Sequence, residues 1–75
     1  MIEPNYIDRN GQAWITVKGI GSDPDYYDVP AMPRVVAWLS AAQRGHEKGP
    51  RPWEVIRTCP DEHSGFCVGV KIRLL

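Results

Sequence analysis

The stretch Tyr6–Val17, YIDRNGQAWITV, decides how the fold begins. Asn10-Gly11 supplies the positive φ pair of a two-residue type I′ turn, and the alternating flanks on either side read as strands. The expected strands cover about 2–9 and 12–20. Such a turn sets Asp8 opposite Ala13, Ile7 opposite Trp14, Tyr6 opposite Ile15 and Glu3 opposite Lys18. One face then carries Ile2, Tyr6, Ala13, Ile15 and Val17. The other carries Ile7, Trp14, Thr16 and Lys18.

Working outward, GSDPDYYDVP (21–30) reads as a long connection, with turn chemistry at Asp23-Pro24 and acids ahead of a helix start. Pro30 and Pro33 suit the first turn of a helix over 31–45, since a missing N–H costs nothing there. At 100° per residue Met32, Val35, Val36, Trp38, Leu39 and Ala42 fall in one arc, so one helix face is made for a core. Gly45 ends the helix, and EKGPRP (47–52) is a stiff, extended link.

Two further alternating runs follow, WEVIRTC (53–59) and FCVGVKIRLL (66–75), joined through PDEHSG. Phe66, Val68, Val70, Ile72 and Leu74 form a continuous apolar face. Burying Trp53 and Val55 with Val70 and Ile72 puts Glu54 opposite Lys71, a cross-strand ion pair. In that register Cys59 lies on the core face and Cys67 on the other, which predicts two unbonded thiols. Structural zinc needs four ligands, and Cys59, His63 and Cys67 have only Asp61, Glu62 or the distant His46 as a fourth and lack the knuckle spacing, so no metal or other cofactor is expected.

The order is ββαββ: a single α+β domain over residues 1–75, with one helix packed on one face of a four-stranded, mainly antiparallel sheet. The expected strand order is 1-2-4-3. The alternative is 2-1-4-3, an analogy of topology with the β-grasp arrangement that carries no function.

Composition narrows the function classes. Seventy-five residues with 43% apolar and 24% charged content make one ordinary globular domain with little room for a catalytic cleft. The formal charge is zero, unlike a nucleic-acid coat. Up to Pro33, Glu3, Asp8, Asp23, Asp25 and Asp28 outweigh Arg9 and Lys18, and the remainder carries the compensating positive excess. In so small a domain the two halves are expected to interleave into a mixed surface. The N-terminus has neither a basic nor an apolar leader pattern, and no apolar run approaches a membrane span, so a soluble, cytoplasmic protein without membrane contact is expected.

The chemistry-bearing residues point away from catalysis. Ser40 and His46 are near each other only as any surface pair is. Asp23, Asp25 and Asp28 hint at a calcium loop but lack its glycine and terminal glutamate. The sheet face that a single helix cannot cover is more telling. It should display Ile7, Trp14, Thr16, Ile56, Thr58 and Gly69, rimmed by Lys18, Glu54, Lys71 and Arg73, an aromatic anchor with a charged rim.

The expected function is therefore non-enzymatic binding through Ile7, Trp14, Thr16, Lys18, Ile56, Lys71 and Arg73. The partner is expected to be a protein, or a second copy in a homodimer, and no small-molecule substrate is expected. A second contact candidate is the loop carrying Asp23, Asp25, Tyr26, Tyr27 and Asp28. The alternative is nucleic acid, with Trp14 stacking a base and Lys18, Arg57, Lys71 and Arg73 meeting phosphates. Free-standing chains of this size are often regulators, inhibitors or accessory subunits, including those carried by phages and plasmids.

Overall fold

A computed structural model describes residues 2–46, 49–57 and 70–75. Among them the chain forms β1 (Tyr6–Ile7), β2 (Ala13–Lys18), β3 (Tyr26–Pro30), α1 (Pro33–Gln43), β4 (Trp53–Arg57) and β5 (Val70–Leu74). The architecture is α+β, with two antiparallel sheets: β1-β2-β3 and β4-β5. The described strands do not form the expected single four-stranded sheet: β3 takes the flank of β2 that the order 1-2-4-3 gives to the C-terminal strand, and the C-terminal hairpin stands as its own sheet rather than beside strand 1 as in 2-1-4-3.

The first hairpin is displaced by one residue from its expected register: Tyr6 pairs with Trp14, and Ile7 with Ala13. The cause is Asp8. Its Oδ1 accepts the N–H groups of Asn10 and Gln12 at 2.9 and 3.0 Å, and its carbonyl accepts the N–H of Gly11 at 3.0 Å. The loop is thereby stretched to Arg9-Asn10-Gly11. Only the glycine takes a positive φ, 83°; Asn10 does not. The carboxylate offers the backbone a better local arrangement than a type I′ turn. Because strand side chains alternate, this slip moves Tyr6 to the face of Trp14 and Ile7 to the face of Ala13.

β3 lies inside the segment expected to be a connection. It pairs with β2 along its whole length, from Trp14 opposite Pro30 to Lys18 opposite Tyr26. Gly19 N–H donates to Asp25 at 2.9 Å and Ala31 N–H to Ala13 at 2.8 Å, so the odd-numbered residues of β3 direct their backbone groups to β2. Pro30 therefore turns its nitrogen to the outer edge, where the missing donor is harmless. Tyr27 and Val29 point into the core, and Tyr26 and Asp28 point away from it.

α1 starts with Pro33 in its first turn, behind Met32, and ends on Gly45 at φ 74°. His46 N–H donates to Ala41 and Gly45 N–H to Ala42, the paired bonds of a Schellman cap. Ile15, Tyr27, Val29, Val35 and Trp53 are buried, with Trp38, Val55, Val70, Ile72 and Leu74 packed around them. The helix thus covers the odd-numbered face of β2 and β3, and among the described residues no helix lies on the even-numbered face.

In the second sheet Trp53 pairs with Leu74, Val55 with Ile72 and Glu54 with Arg73. This is two residues from the expected register. Parity is kept, so the buried face is as expected, but the ion pair joins Glu54 to Arg73 in place of Lys71. The shift lets Leu74 cover Trp53 and lets Leu75 N–H reach Pro52 at 2.9 Å. Thr58, Cys59, His63, Cys67 and Gly69, with the thiol state expected of the hairpin, lie outside the described residues.

Candidate binding site

The open face of β1-β2-β3 is built from alternate residues of three strands: Tyr6 on β1, Trp14, Thr16 and Lys18 on β2, and Tyr26 and Asp28 on β3. Cross-strand pairing places Thr16 directly opposite Asp28, and the hairpin slip brings in Tyr6. The Thr16 hydroxyl donates to Asp28 Oδ1 at 2.7 Å, and the Tyr6 hydroxyl donates to Oδ2 at 2.9 Å. Among the described residues each carboxylate oxygen is thus held by one neutral donor. The hydrogen bond to Asp28 favours the protonated phenol and raises the Tyr6 pKa above its ordinary value.

Trp14 is half-buried against its own hairpin loop. Its Nε1–H donates to Asp8 Oδ2 at 2.9 Å, and this bond is the main reason the Asp8 carboxyl sits below its ordinary value, with the Gln12 and Asn10 amides contributing. The outward aromatics are the tyrosines instead, Tyr6 at 46% and Tyr26 at 65% exposure. A pocket of about 260 Å³ opens beside Asp28, walled by Thr16, Tyr26, Tyr27 and Val70.

The expected contact set is divided by this arrangement. Trp14, Thr16 and Lys18 lie on the open face of the first sheet. Ile7, 68% exposed, stands on the other face with Ala13. Ile56, Lys71 and Arg73 are on the outer face of β4-β5, where Arg73 is occupied by Glu54.

The second contact set is divided too. Tyr26 and Asp28 join Thr16, whereas Tyr27 belongs to the core: it is 4% exposed and its hydroxyl accepts from Trp53 Nε1 at 2.8 Å and from Arg51 at 3.0 Å. Burial raises its pKa most. Asp23 is tied to Arg51 at 2.5 Å, and Asp25 is exposed at the end of β3. Sequence reasoning missed Tyr6 by assigning it to the core face. The signal available for it was Asp8, two residues on, whose carboxylate competes for the turn.

Among the described residues the charged side chains of the two halves fall largely on different elements. The acids Asp8, Asp23, Asp25 and Asp28 sit on or beside the first sheet, and the described bases past Pro33 lie on the helix, its following link and the second sheet. The Asp23–Arg51 pair ties the two parts together. No family model, curated protein or solved structure matches the chain. The candidate site therefore rests on its geometry. Among the described residues no helix is long and apolar enough to cross a membrane, and no group of three or more His, Cys, Asp or Glu side chains could hold a metal ion.

The Asp23–Arg51 pair has a measurable pH signature. The Arg51 guanidinium holds the Asp23 carboxyl below its ordinary value of 3.8, against the opposing pull of burial. A depressed carboxylate contributes stability that is present above the unfolded-state pKa and lost as pH falls through the folded-state one. Thermal melts between about pH 7 and pH 2 should show the wild type losing stability from about pH 4 downward, more steeply than Asp23→Asn, which has no charge to lose there. Parallel curves would remove the pair from the account of stability.

Proposed function

We propose that the chain is a binding module that acts by contact with another protein, through the open face of β1-β2-β3, rather than by chemistry. The observation that carries this reading is the pair of exposed tyrosines, Tyr6 and Tyr26, flanking a carboxylate already fixed by Tyr6 and Thr16 on a sheet face that the helix leaves uncovered. Tyrosine offers a large amphipathic contact area at low entropic cost, and such residues dominate protein contact sites. Trp14 is a supporting residue of this face, with Lys18 at its rim. A regulator, inhibitor or accessory subunit works in this way.

The nucleic-acid alternative is not favoured. The indole of Trp14 is held by Asp8, and Asp8, Asp25 and Asp28 would repel phosphates where the stacking platform had been expected.

The test is affinity purification from the native host, with and without nuclease, followed by binary binding of the recovered partner to the wild type and to Tyr6→Ala/Tyr26→Ala. The expected partner is a protein that survives nuclease and binds the double variant at least about tenfold more weakly. A partner lost on nuclease treatment, or equal affinity for both chains, would overturn the reading. Sedimentation of the two chains extends the test: a wild-type dimer that the double variant dissolves makes the partner a second copy.

A further inference from the structure

We infer that the pocket beside Asp28 receives the guanidinium of an arginine side chain presented by the partner protein. The inference rests on the binding face proposed above and names the chemistry at its centre. The Asp28 carboxylate is oriented on both oxygens, by Thr16 at 2.7 Å and by Tyr6 at 2.9 Å. Each oxygen keeps lone-pair capacity for a further donor. The two donors are neutral, so they fix the group without cancelling its charge.

Among the described residues the ion pairs are Asp23–Arg51 and Glu54–Arg73, and neither reaches Asp28. Lys18, opposite Tyr26 on the same face, makes no ion pair with it. A half-buried carboxylate held in this way, with Asp8 and Asp25 adding to the field of the same sheet, is complementary to a cation.

The walls select the kind of cation. Tyr26 presents an exposed ring, and Val70 an apolar side, to whatever enters. A guanidinium is planar and weakly hydrated. It can donate to a carboxylate while lying on an aromatic face, which a compact, strongly hydrated ammonium does less well. At about 260 Å³ the pocket is smaller than the usual ligand cleft of about 300–1,000 Å³, which suits one long side chain rather than a whole small molecule.

The test is an amide-resolved NMR titration of the full chain at low salt with the blocked tripeptide acetyl-Gly-Arg-Gly-amide, and with the same peptide carrying citrulline, its neutral near-isostere. The arginine peptide should shift the amides of Thr16, Tyr26, Asp28 and Val70, and the citrulline peptide should not. Asp28→Asn keeps the shape and an acceptor while removing the charge, and should weaken arginine binding at least tenfold.

Equal binding of the two peptides, shifts that map elsewhere, or unchanged binding to Asp28→Asn would each overturn the inference. Should Asp28→Asn fail to fold, the comparison of the two peptides on the wild type decides alone. The two readings fail separately. A partner that is lost by Tyr6→Ala/Tyr26→Ala but kept by Asp28→Asn leaves the binding face standing and removes the arginine pocket; one that tolerates both removes the face itself.

Discussion

Trp53→Ala should cost about 3–5 kcal/mol, the usual loss for deleting a buried indole, and leave little cooperative folding in a domain of this length. The side chain is 2% exposed and stands where the two sheets meet the helix. Its ring meets Trp38 edge-on at 5.2 Å and Tyr27 at 6.4 Å, and the Arg51 guanidinium lies 5.8 Å from its centroid. Removing it opens a cavity that three neighbours cannot fill by small movements.

The deletion also strips the Tyr27 hydroxyl of its indole donor, leaving Arg51 alone on that oxygen. Tyr27→Phe makes the complementary cut: it keeps the aromatic packing and leaves the buried indole N–H unpaired, at a cost of about 1–3 kcal/mol. Urea denaturation should therefore rank Trp53→Ala below Tyr27→Phe and both below the wild type. A Trp53→Ala protein that unfolds at the wild-type midpoint would mean that the core lies elsewhere.

The parts of this fold that could be read from sequence are those where one local signal acts alone. Gly45 ends the helix as expected, whereas its start moves from 31 to Pro33, because Pro30, which also suited a first turn, belongs to β3. The alternation in WEVIR and VKIRL is long enough to define a buried face, and a register error of two residues left that face intact. The first hairpin failed because two turn signals overlap: Asn10-Gly11 favours a two-residue loop, and Asp8 favours a longer one by taking two backbone N–H groups. The error was a single residue, which is enough to invert a strand.

β3 was hidden for a different reason. Its five residues hold only two inward positions, Tyr27 and Val29, and the acid and prolines around them resemble connection chemistry. Their compatibility with a strand becomes visible only once β2 is seen to bond the odd-numbered residues. The candidate site inherits both obstacles, since Tyr6 depends on the hairpin register and Tyr26 and Asp28 depend on β3.

Gly19→Ala should destabilise the protein by at least about 2 kcal/mol, because the clash it creates is between backbone segments that cannot rotate away. A Cβ at position 19 would lie 1.7 Å from the carbonyl oxygen of Pro24 and 2.8 Å from its carbon. Pro24 has a ring-fixed φ, and the next residue, Asp25, accepts the Gly19 N–H at 2.9 Å, so the loop is held against the glycine from both directions. Relief requires the segment between β2 and β3 to open. Opening it breaks the Gly19–Asp25 bond that closes the hairpin and draws Asp23 from Arg51.

Gly21→Ala is the control. Gly21 has φ 64° but nothing within 4 Å of the added methyl, so only the left-handed backbone is penalised, at about 1–2 kcal/mol. Thermal melts should place Gly19→Ala clearly below Gly21→Ala, and an equal or reversed order would mean that this loop does not close on Gly19. Because β3 carries both Tyr26 and Asp28 and shares its core with the helix and second sheet, Gly19→Ala should lose binding at the open face together with the folded signal, in one transition.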